Sequence, residues 1–307
     1  MNISLRQLRY VVTASQTGSI LGAAQALNIS TSSILMAIDK FEQEFGTQVF
    51  VRQRSKGLVT TAAGIRAIAR TIRLLDEMDA YVRDISGGEK IPSGELRVGS
   101  FTSLSPNVTP QIISDLHAAC PDLIVHLSEG DMISIQENLR SGMVDILLTY
   151  DAGLWEEFDY EILANAPPHV VLAETDPLAR KARISLADLE NKTLLLLNLP
   201  QSRDYVGSLF ERAGIKRGPV QRLESFEMVR SSAAAGLGAA ILNIRPFTDN
   251  TYSGLQVACR PLVESQPSPN IVLATRGGAR ISRRAQAFAS YSRAFFKTPR
   301  AQNLFVT

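Results

Sequence analysis

Cysteine is almost missing: Cys120 and Cys259 are the only two in 307 residues, and no C-x-x-C pair occurs. That excludes a disulfide framework, a thiolate zinc site and a dithiol redox motif, and sets the expectation of a reducing, cytoplasmic setting. Histidine is equally scarce, and His117, His126 and His169 fall in separate segments without paired spacing, so neither a metal nor a cofactor is expected. No apolar run approaches the ~18 residues of a membrane span. Arg6 and Arg9 also interrupt the first segment where a leader peptide needs an apolar block, so no membrane partner is expected. Neither sign of charge prevails: 32 Lys plus Arg stand against 30 Asp plus Glu, and an electrostatic role has to come from local clustering. Nucleophile-elbow and phosphate-loop motifs are lacking. Gly236-Leu237-Gly238 is a lone G-x-G that a tight turn explains. What is present, at 45% apolar residues, is enough to bury substantial cores in about two domains.

Charge does cluster. Between Val49 and Leu75 lie Arg52, Arg54, Lys56, Arg66, Arg70 and Arg73 without one acid. A second acid-free stretch, from Ser265 to the end, reads as the basic outer face of a last helix. The first stripe follows a segment patterned for helices. Leu5, Leu8, Val11, Val12 and Ser15 recur at helical spacing up to a stop at Gly18. Ser19 caps a short, small-residue helix ending at Leu27, and Asn28-Ile29-Ser30 makes a turn. Ser30 then caps a third helix with a buried stripe of Ile34, Ile38, Phe41 and Phe45, stopped by Gly46. Two helices joined by so short a turn make a helix-turn-helix, whose second helix meets a major groove with its first turn. The candidate DNA-facing residues are therefore Thr31, Ser32, Ser33, Met36 and Lys40. Residues 48–60 read as two short strands around a basic turn, a wing with Arg52, Arg54 and Lys56 placed to neutralise phosphates.

The ordered set Leu5-Arg6-Gln7-Leu8-Arg9-Tyr10, Gly18-Ser19, Ala23-Ala24-Gln25-Ala26-Leu27, Phe41-Glu42, Phe45-Gly46, Val49-Phe50 and Thr60-Thr61-Ala62-Ala63-Gly64 resembles the DNA-binding domain of the LysR-type transcriptional regulators. The chain departs from that family where it carries Thr31, Ser32 and Met36 instead of the usual Gln, Pro and Arg or Gln. The family's usual base contacts therefore do not carry over at these positions, and shape and phosphates carry more of the recognition.

After Gly64 the apolar residues Ile65, Ile68, Ile72, Leu75, Met78, Val82 and Ile85 form a helical seam suited either to packing on its own domain or to pairing with a second copy. The resemblance implies pairing. Residues 86–94 have the composition of a hinge. Beyond them, apolar runs at Leu96–Gly99, Leu123–Leu127, Ile146–Leu148, Val170–Leu172, Leu194–Leu197, Ala239–Leu242 and Ile271–Leu273 alternate with helical stretches. This predicts an α/β architecture with mainly parallel strands. The resemblance continues through Gly94-Glu95-Leu96-Arg97-Val98-Gly99, Gly142-Met143-Val144-Asp145 and Ala235-Gly236-Leu237-Gly238. The expected fold is an N-terminal all-α winged helix-turn-helix plus linker helix, then a C-terminal α/β two-lobed effector-binding domain resembling periplasmic binding proteins. The boundaries expected are 1–60 for the DNA-binding domain, 61–88 for the dimerising linker helix, 89–93 for the hinge and 94–307 for the effector-binding domain. Lobe one would comprise 94–164 with 269–307, and lobe two 165–268.

In such folds ligands lie beyond strand ends, where helices begin. On that placement the candidate effector residues are Thr102, Ser103, Glu129, Thr149, Tyr150, Ser202, Arg203 and Phe226. Arg203, a fork-shaped cation, points to a small carboxylate or similar anion, with Phe226 against an apolar body. Ordinary helix capping accounts for each hydroxyl taken singly. The partners expected are double-stranded DNA at a pseudo-palindromic promoter site, the effector, further copies in a homodimer or homotetramer, and RNA polymerase. The alternatives are a cytoplasmic solute-binding module without a regulatory role and an intracellular enzyme built on the α/β part.

Overall fold

The computed structural model describes residues 2–53, 57–85, 91–278 and 281–307. They divide into two compact units, Met1–Ile91 with Arg140–Met143, and Pro92–Leu139 with Val144–Thr307.

The first unit comprises α1 (Leu5–Thr17), α2 (Ile20–Leu27), α3 (Thr31–Phe45), β1 (Phe50–Gln53), β2 (Gly57–Thr60) and α4 (Ala62–Ile85). Each of the first three helices opens on a serine whose hydroxyl accepts a backbone N–H: Ser4 from Gln7, Ser19 from Gly22, and Ser30 from Ser33. Gly18 and Gly46 end α1 and α3 at φ 61° and 60°, the left-handed conformation that a side chain disfavours. Leu8, Val11, Val12, Ala23, Ala24, Ile34, Ala37, Ile38 and Phe41 merge into one core. Two edges of the expected stripes are corrected. Phe45, in the last turn of α3, is 46% exposed and leans on Phe41 while Ala37 takes the buried place. Leu5 is exposed at the start of α1, and Ile3 packs instead.

The wing is fastened to α3 by one carboxylate. Glu42 accepts the backbone N–H of Val49 at 2.6 Å and of Phe50 at 2.9 Å. Thr61 donates its hydroxyl to the Gln48 carbonyl and accepts the Gly64 N–H. A Cβ at Gly64 would lie 2.3 Å from the Val49 carbonyl oxygen, so this close approach requires glycine. The seam of α4 serves its own domain in part: Ile68 and Leu75 are buried and Ile72 half-buried in the same core, and Asp79 pairs with Arg9. Leu74, Tyr81 and Val82 remain exposed. The expected hinge falls largely on residues outside those described.

The second unit runs β3 (Gly94–Phe101), α5 (Ser105–Ala119), β4 (Leu123–Gly130), α6 (Met132–Ser141), β5 (Ile146–Tyr150), β6 (Phe158–Asn165), β7 (His169–Ala173), β8 (Leu194–Leu197), α7 (Pro200–Ala213), β9 (Val220–Leu223), α8 (Phe226–Ala234), β10 (Ala239–Leu242), β11 (Val257–Pro261), β12 (Asn270–Arg276), α9 (Arg283–Phe296) and α10 (Pro299–Gln302). It holds two five-stranded sheets, ordered β4-β3-β5-β12-β6 and β11-β7-β10-β8-β9. The strands are mixed instead of mainly parallel. β3 runs parallel to β4 and β5, and β8 parallel to β9 and β10. In contrast β12 runs against β5 and β6, and β7 against β10 and β11. β7 follows the passage of the chain out of the first sheet and β12 its return, and both reverse direction against their neighbours. The strands that the apolar runs did not announce, β6, β9 and β11, are all sheet edges, where charged and polar residues interrupt the apolar ones. β4 is also an edge, which is why Ile124 and Leu127 are exposed.

His169, at the start of β7, is fully buried, and neither ring nitrogen has a hydrogen bond of good geometry. Burial, helped by Arg245 and opposed by the Pro167 backbone and Asp249, pulls its pKa from 6.5 down to about 4. The unfolded chain therefore takes up a proton that the folded chain refuses. The stability contributed by the neutral ring is complete above pH 6.5 and is lost as pH falls towards about 4, on the order of 3 kcal/mol. Denaturant titrations between pH 7 and 4 should show that loss, and His169→Phe should flatten it. An unchanged slope in the variant would place the acid sensitivity elsewhere.

Candidate nucleic-acid interface and ligand cleft

The axes of α2 and α3 turn by 113° across Asn28-Ile29-Ser30, with Asn28 at φ 53°. This leaves the first turn of α3 clear of the core. Thr31, Ser32 and Met36 are exposed, Met36 by 66%, while Ser33 and Lys40 are half-buried. The hydroxyls of Ser32 and Ser33 turn back onto Ser30 Oγ, at 2.8 and 2.9 Å, and support the cap. Arg52 lies in β1, in register with Leu58 of β2. Arg54 and Lys56 lie outside the described residues.

In the second unit a recess opens between the two sheets. The first sheet and its helix contribute Phe101, Ser103, Met132, Tyr150 and Ala152, and Pro269 comes from the returning chain. Across from them stand Leu197, Ile241, Leu242, Asn243 and Ile244 at the ends of β8 and β10, with Gln201, Ser202, Tyr205 and Val206 on α7 and Phe226 on α8. Phe101 and Tyr150 meet edge to face at 5.7 Å. Burial raises the Tyr150 pKa, opposed by a hydrogen bond with Ser103, and pushes Tyr205 up to about 12, so both remain neutral phenols. Tyr205 donates to the Pro267 carbonyl at 3.1 Å and accepts from Asn243, which also donates to the Ala166 carbonyl at 2.9 Å. Gln201 keeps its amide oxygen buried without a hydrogen-bond partner.

Of the expected effector residues, Ser103, Tyr150, Ser202 and Phe226 line this recess, whereas Thr102, Glu129, Thr149 and Arg203 do not. Glu129 accepts the Ser105 hydroxyl in the first turn of α5. Thr149 is fully buried and turns its hydroxyl to the Met132 sulfur. Thr102 gives its backbone N–H to Gly130. Arg203 donates to Asn198 Oδ1 at 3.2 Å, and Asn198 donates to Glu224 at 2.7 Å, so the cation faces an acid through one amide. Residues that the sequence reading missed include Gln201, Tyr205 and Asn243. Asn243 carries a legible signal, a polar residue directly after an apolar strand. Tyr205 lies one helical turn beyond Gln201, and only the position of α7 brings it to the site.

Residues 5–65 match the bacterial regulatory helix-turn-helix proteins of the lysR family, and residues 90–297 match the LysR substrate binding domain. Among curated relatives, an uncharacterized HTH-type transcriptional regulator, YfeR, from Shigella flexneri is 27% identical over 94% of this chain and 92% of its own length. The hydrogen peroxide-inducible genes activator of Dickeya chrysanthemi is 27% identical over 94% of each chain. Among solved structures, the LysR family transcriptional regulator HinK from Pseudomonas aeruginosa is 29% identical and superposes with a TM-score of 0.64, covering 96% of this chain and 99% of its own. With both halves of the chain matched, one by a DNA-binding head and the other by a ligand-binding domain, the protein belongs to the LysR family of ligand-responsive, DNA-binding transcription regulators.

Proposed function

We propose that this regulator reads a two-fold DNA site as a homodimer or homotetramer and that a small molecule in the recess between the two sheets sets its state. It acts where the chromosome is, in the cytoplasm, without chemistry of its own, and RNA polymerase is the partner at the promoter. The observation that carries the reading is the exposed first turn of α3 on the same chain as a recess lined by apolar side chains with a few polar groups among them. Thr31 and Met36 meet base edges, the Met36 thioether suiting a thymine methyl, and Ser32, Ser33 and Lys40 support them. Arg52, Arg54 and Lys56 neutralise phosphates. In the recess, Ser103, Tyr150, Ser202 and Phe226 face the effector. The ligand shifts the equilibrium only by its difference in affinity for the two lobe arrangements, and so changes the spacing of paired heads on DNA. The carboxylate expected from Arg203 gains no support from the lining, since among the described residues no cation lines the recess and Arg203 gives a hydrogen bond to Asn198.

In binding assays across a salt series, Arg52→Ala should weaken binding to every DNA sequence alike and lower the salt slope by about one. Met36→Ala should instead weaken operator binding while leaving non-specific binding unchanged. Equal losses on operator and random DNA in Met36→Ala would remove it from base reading.

Pairing runs through the exposed stripe of α4, Leu74, Tyr81 and Val82, with Met78 half-buried beside it. Leu74→Glu with Val82→Glu should sediment as a monomer and lose at least about 100-fold in operator affinity, because two linked half-sites become one. A double variant that stays dimeric would move the interface off α4.

Peroxide sensing, which the name of one relative raises, needs a reactive thiolate. Here Cys120 is buried, and burial, with Asp249 adding to it and nearby arginines opposing, pushes Cys259 up to about 11. Hydrogen peroxide should therefore leave operator affinity unchanged within about twofold, as should Cys120→Ser with Cys259→Ser. A peroxide response abolished by either serine would reinstate the thiol reading.

A further inference from the structure

We infer that α3 recognises its DNA half-site through the 5-methyl groups of pyrimidines in the major groove, so that thymine and 5-methylcytosine are accepted alike while uracil and unmodified cytosine are refused. The inference rests on the reading of α3 as the base-facing helix and adds to it the chemical group that is read. Its consequence is a regulator whose grip on a site rises when a contacted cytosine is methylated at carbon 5.

The residues from Thr31 to Ile38 include no arginine, lysine, asparagine or glutamine. Those are the side chains that make paired hydrogen bonds to the edge of guanine or adenine, so the first two turns of α3 cannot name a base in that way. The hydroxyls there discriminate poorly. Ser32 and Ser33 share theirs with Ser30 at 2.8 and 2.9 Å, and Ser30 also accepts the Ser33 N–H. A hydroxyl that does reach a base serves donor and acceptor edges equally.

What these turns offer instead is apolar surface. Ile34, Ala37 and Ile38 are spent in the core. Met36 stands 66% exposed on the other side, Leu35 is half-buried next to it, and Thr31, exposed at the start of the helix, adds a methyl. In the major groove the four bases display one apolar group, the thymine methyl, and 5-methylcytosine carries the same group at the same ring position. An unbranched thioether is flexible enough to close around it. Asp39, exposed three residues beyond Met36 on the same side of the helix, would be repelled by phosphates, so this side faces base edges and not the backbone.

The probe is a duplex selected by the full-length protein from a random-sequence library. Each thymine in it is replaced in turn by uracil, which removes the methyl and leaves every hydrogen-bonding group in place, and binding is followed by fluorescence anisotropy. Uracil at one or more positions in each half-site should cost about fourfold per position, the worth of one buried methyl. There a 5-methylcytosine–guanine pair should bind within about twofold of thymine–adenine, and cytosine–guanine as weakly as uracil. Thr31→Ser with Met36→Ala, both at exposed positions, should bind the thymine and uracil duplexes equally. Uracil duplexes that all match the parent, cytosine bound as tightly as 5-methylcytosine, or a methyl effect that survives in the double variant would overturn methyl reading by α3. A selected duplex that the double variant binds as tightly as the parent protein does, or a library with no preferred sequence, would instead overturn α3 as the base-facing helix.

Discussion

The side-chain amide of Asn243 ties together the two connections between the sheets of the ligand-binding part. The chain passes between the two sheets after β6 and returns before β12, and Asn243 grips the first passage at the Ala166 carbonyl. Through Tyr205 it holds the second at the Pro267 carbonyl. The two bonds of Asn243 are part-buried in the wall of the recess, and the bond from Tyr205 to Pro267 lies open to solvent. A ligand seated against Asn243 and Tyr205 therefore touches the same groups that join the sheets.

The DNA-binding half is organised by a comparable economy of contacts. Serine caps and left-handed glycine stops define the three helices, and Glu42 ties the end of α3 to the strand that begins the wing. Because one carboxylate accepts two backbone N–H groups there, the direction of β1 is set by the direction of α3. The closeness of Gly64 to Val49 then fixes where α4 departs. The exposed turn at Thr31 is a product of this packing: the helix is held by Ile34, Ala37, Ile38 and Phe41, and what lies opposite them is free to meet another molecule.

Much of this was legible in the order of residues. Helix ends announced themselves through Ser19, Ser30, Gly18 and Gly46, because capping is local chemistry. The central strands were visible as apolar runs, because a strand covered on both faces has no polar alternation. Edge strands β6, β9 and β11 were not, since charged or polar residues such as Asp159, Glu161, Gln221, Arg222 and Arg260 interrupt any apolar run in them. The lining of the recess was legible in part. Ser103, Tyr150, Ser202 and Phe226 stand at strand ends and helix starts, which sequence position reveals, and all four line the recess. Arg203 stands in the same loop, one residue beyond Ser202, and is turned away to Asn198.

That contrast marks the division. By itself the sequence determined the helix-turn-helix, its caps, the alternation of strands and helices, and the family, since these depend on residues near one another in the chain. Only the tertiary structure decided which side chains line the recess and the direction of the strands. Both depend on groups far apart in sequence: Arg203 gives a hydrogen bond to Asn198, which gives one to Glu224, and β12 of the first sheet follows all the strands of the second in the chain. Side-chain direction at the mouth of a helix is set by whichever partner the fold brings within hydrogen-bonding reach, and no local pattern encodes that partner.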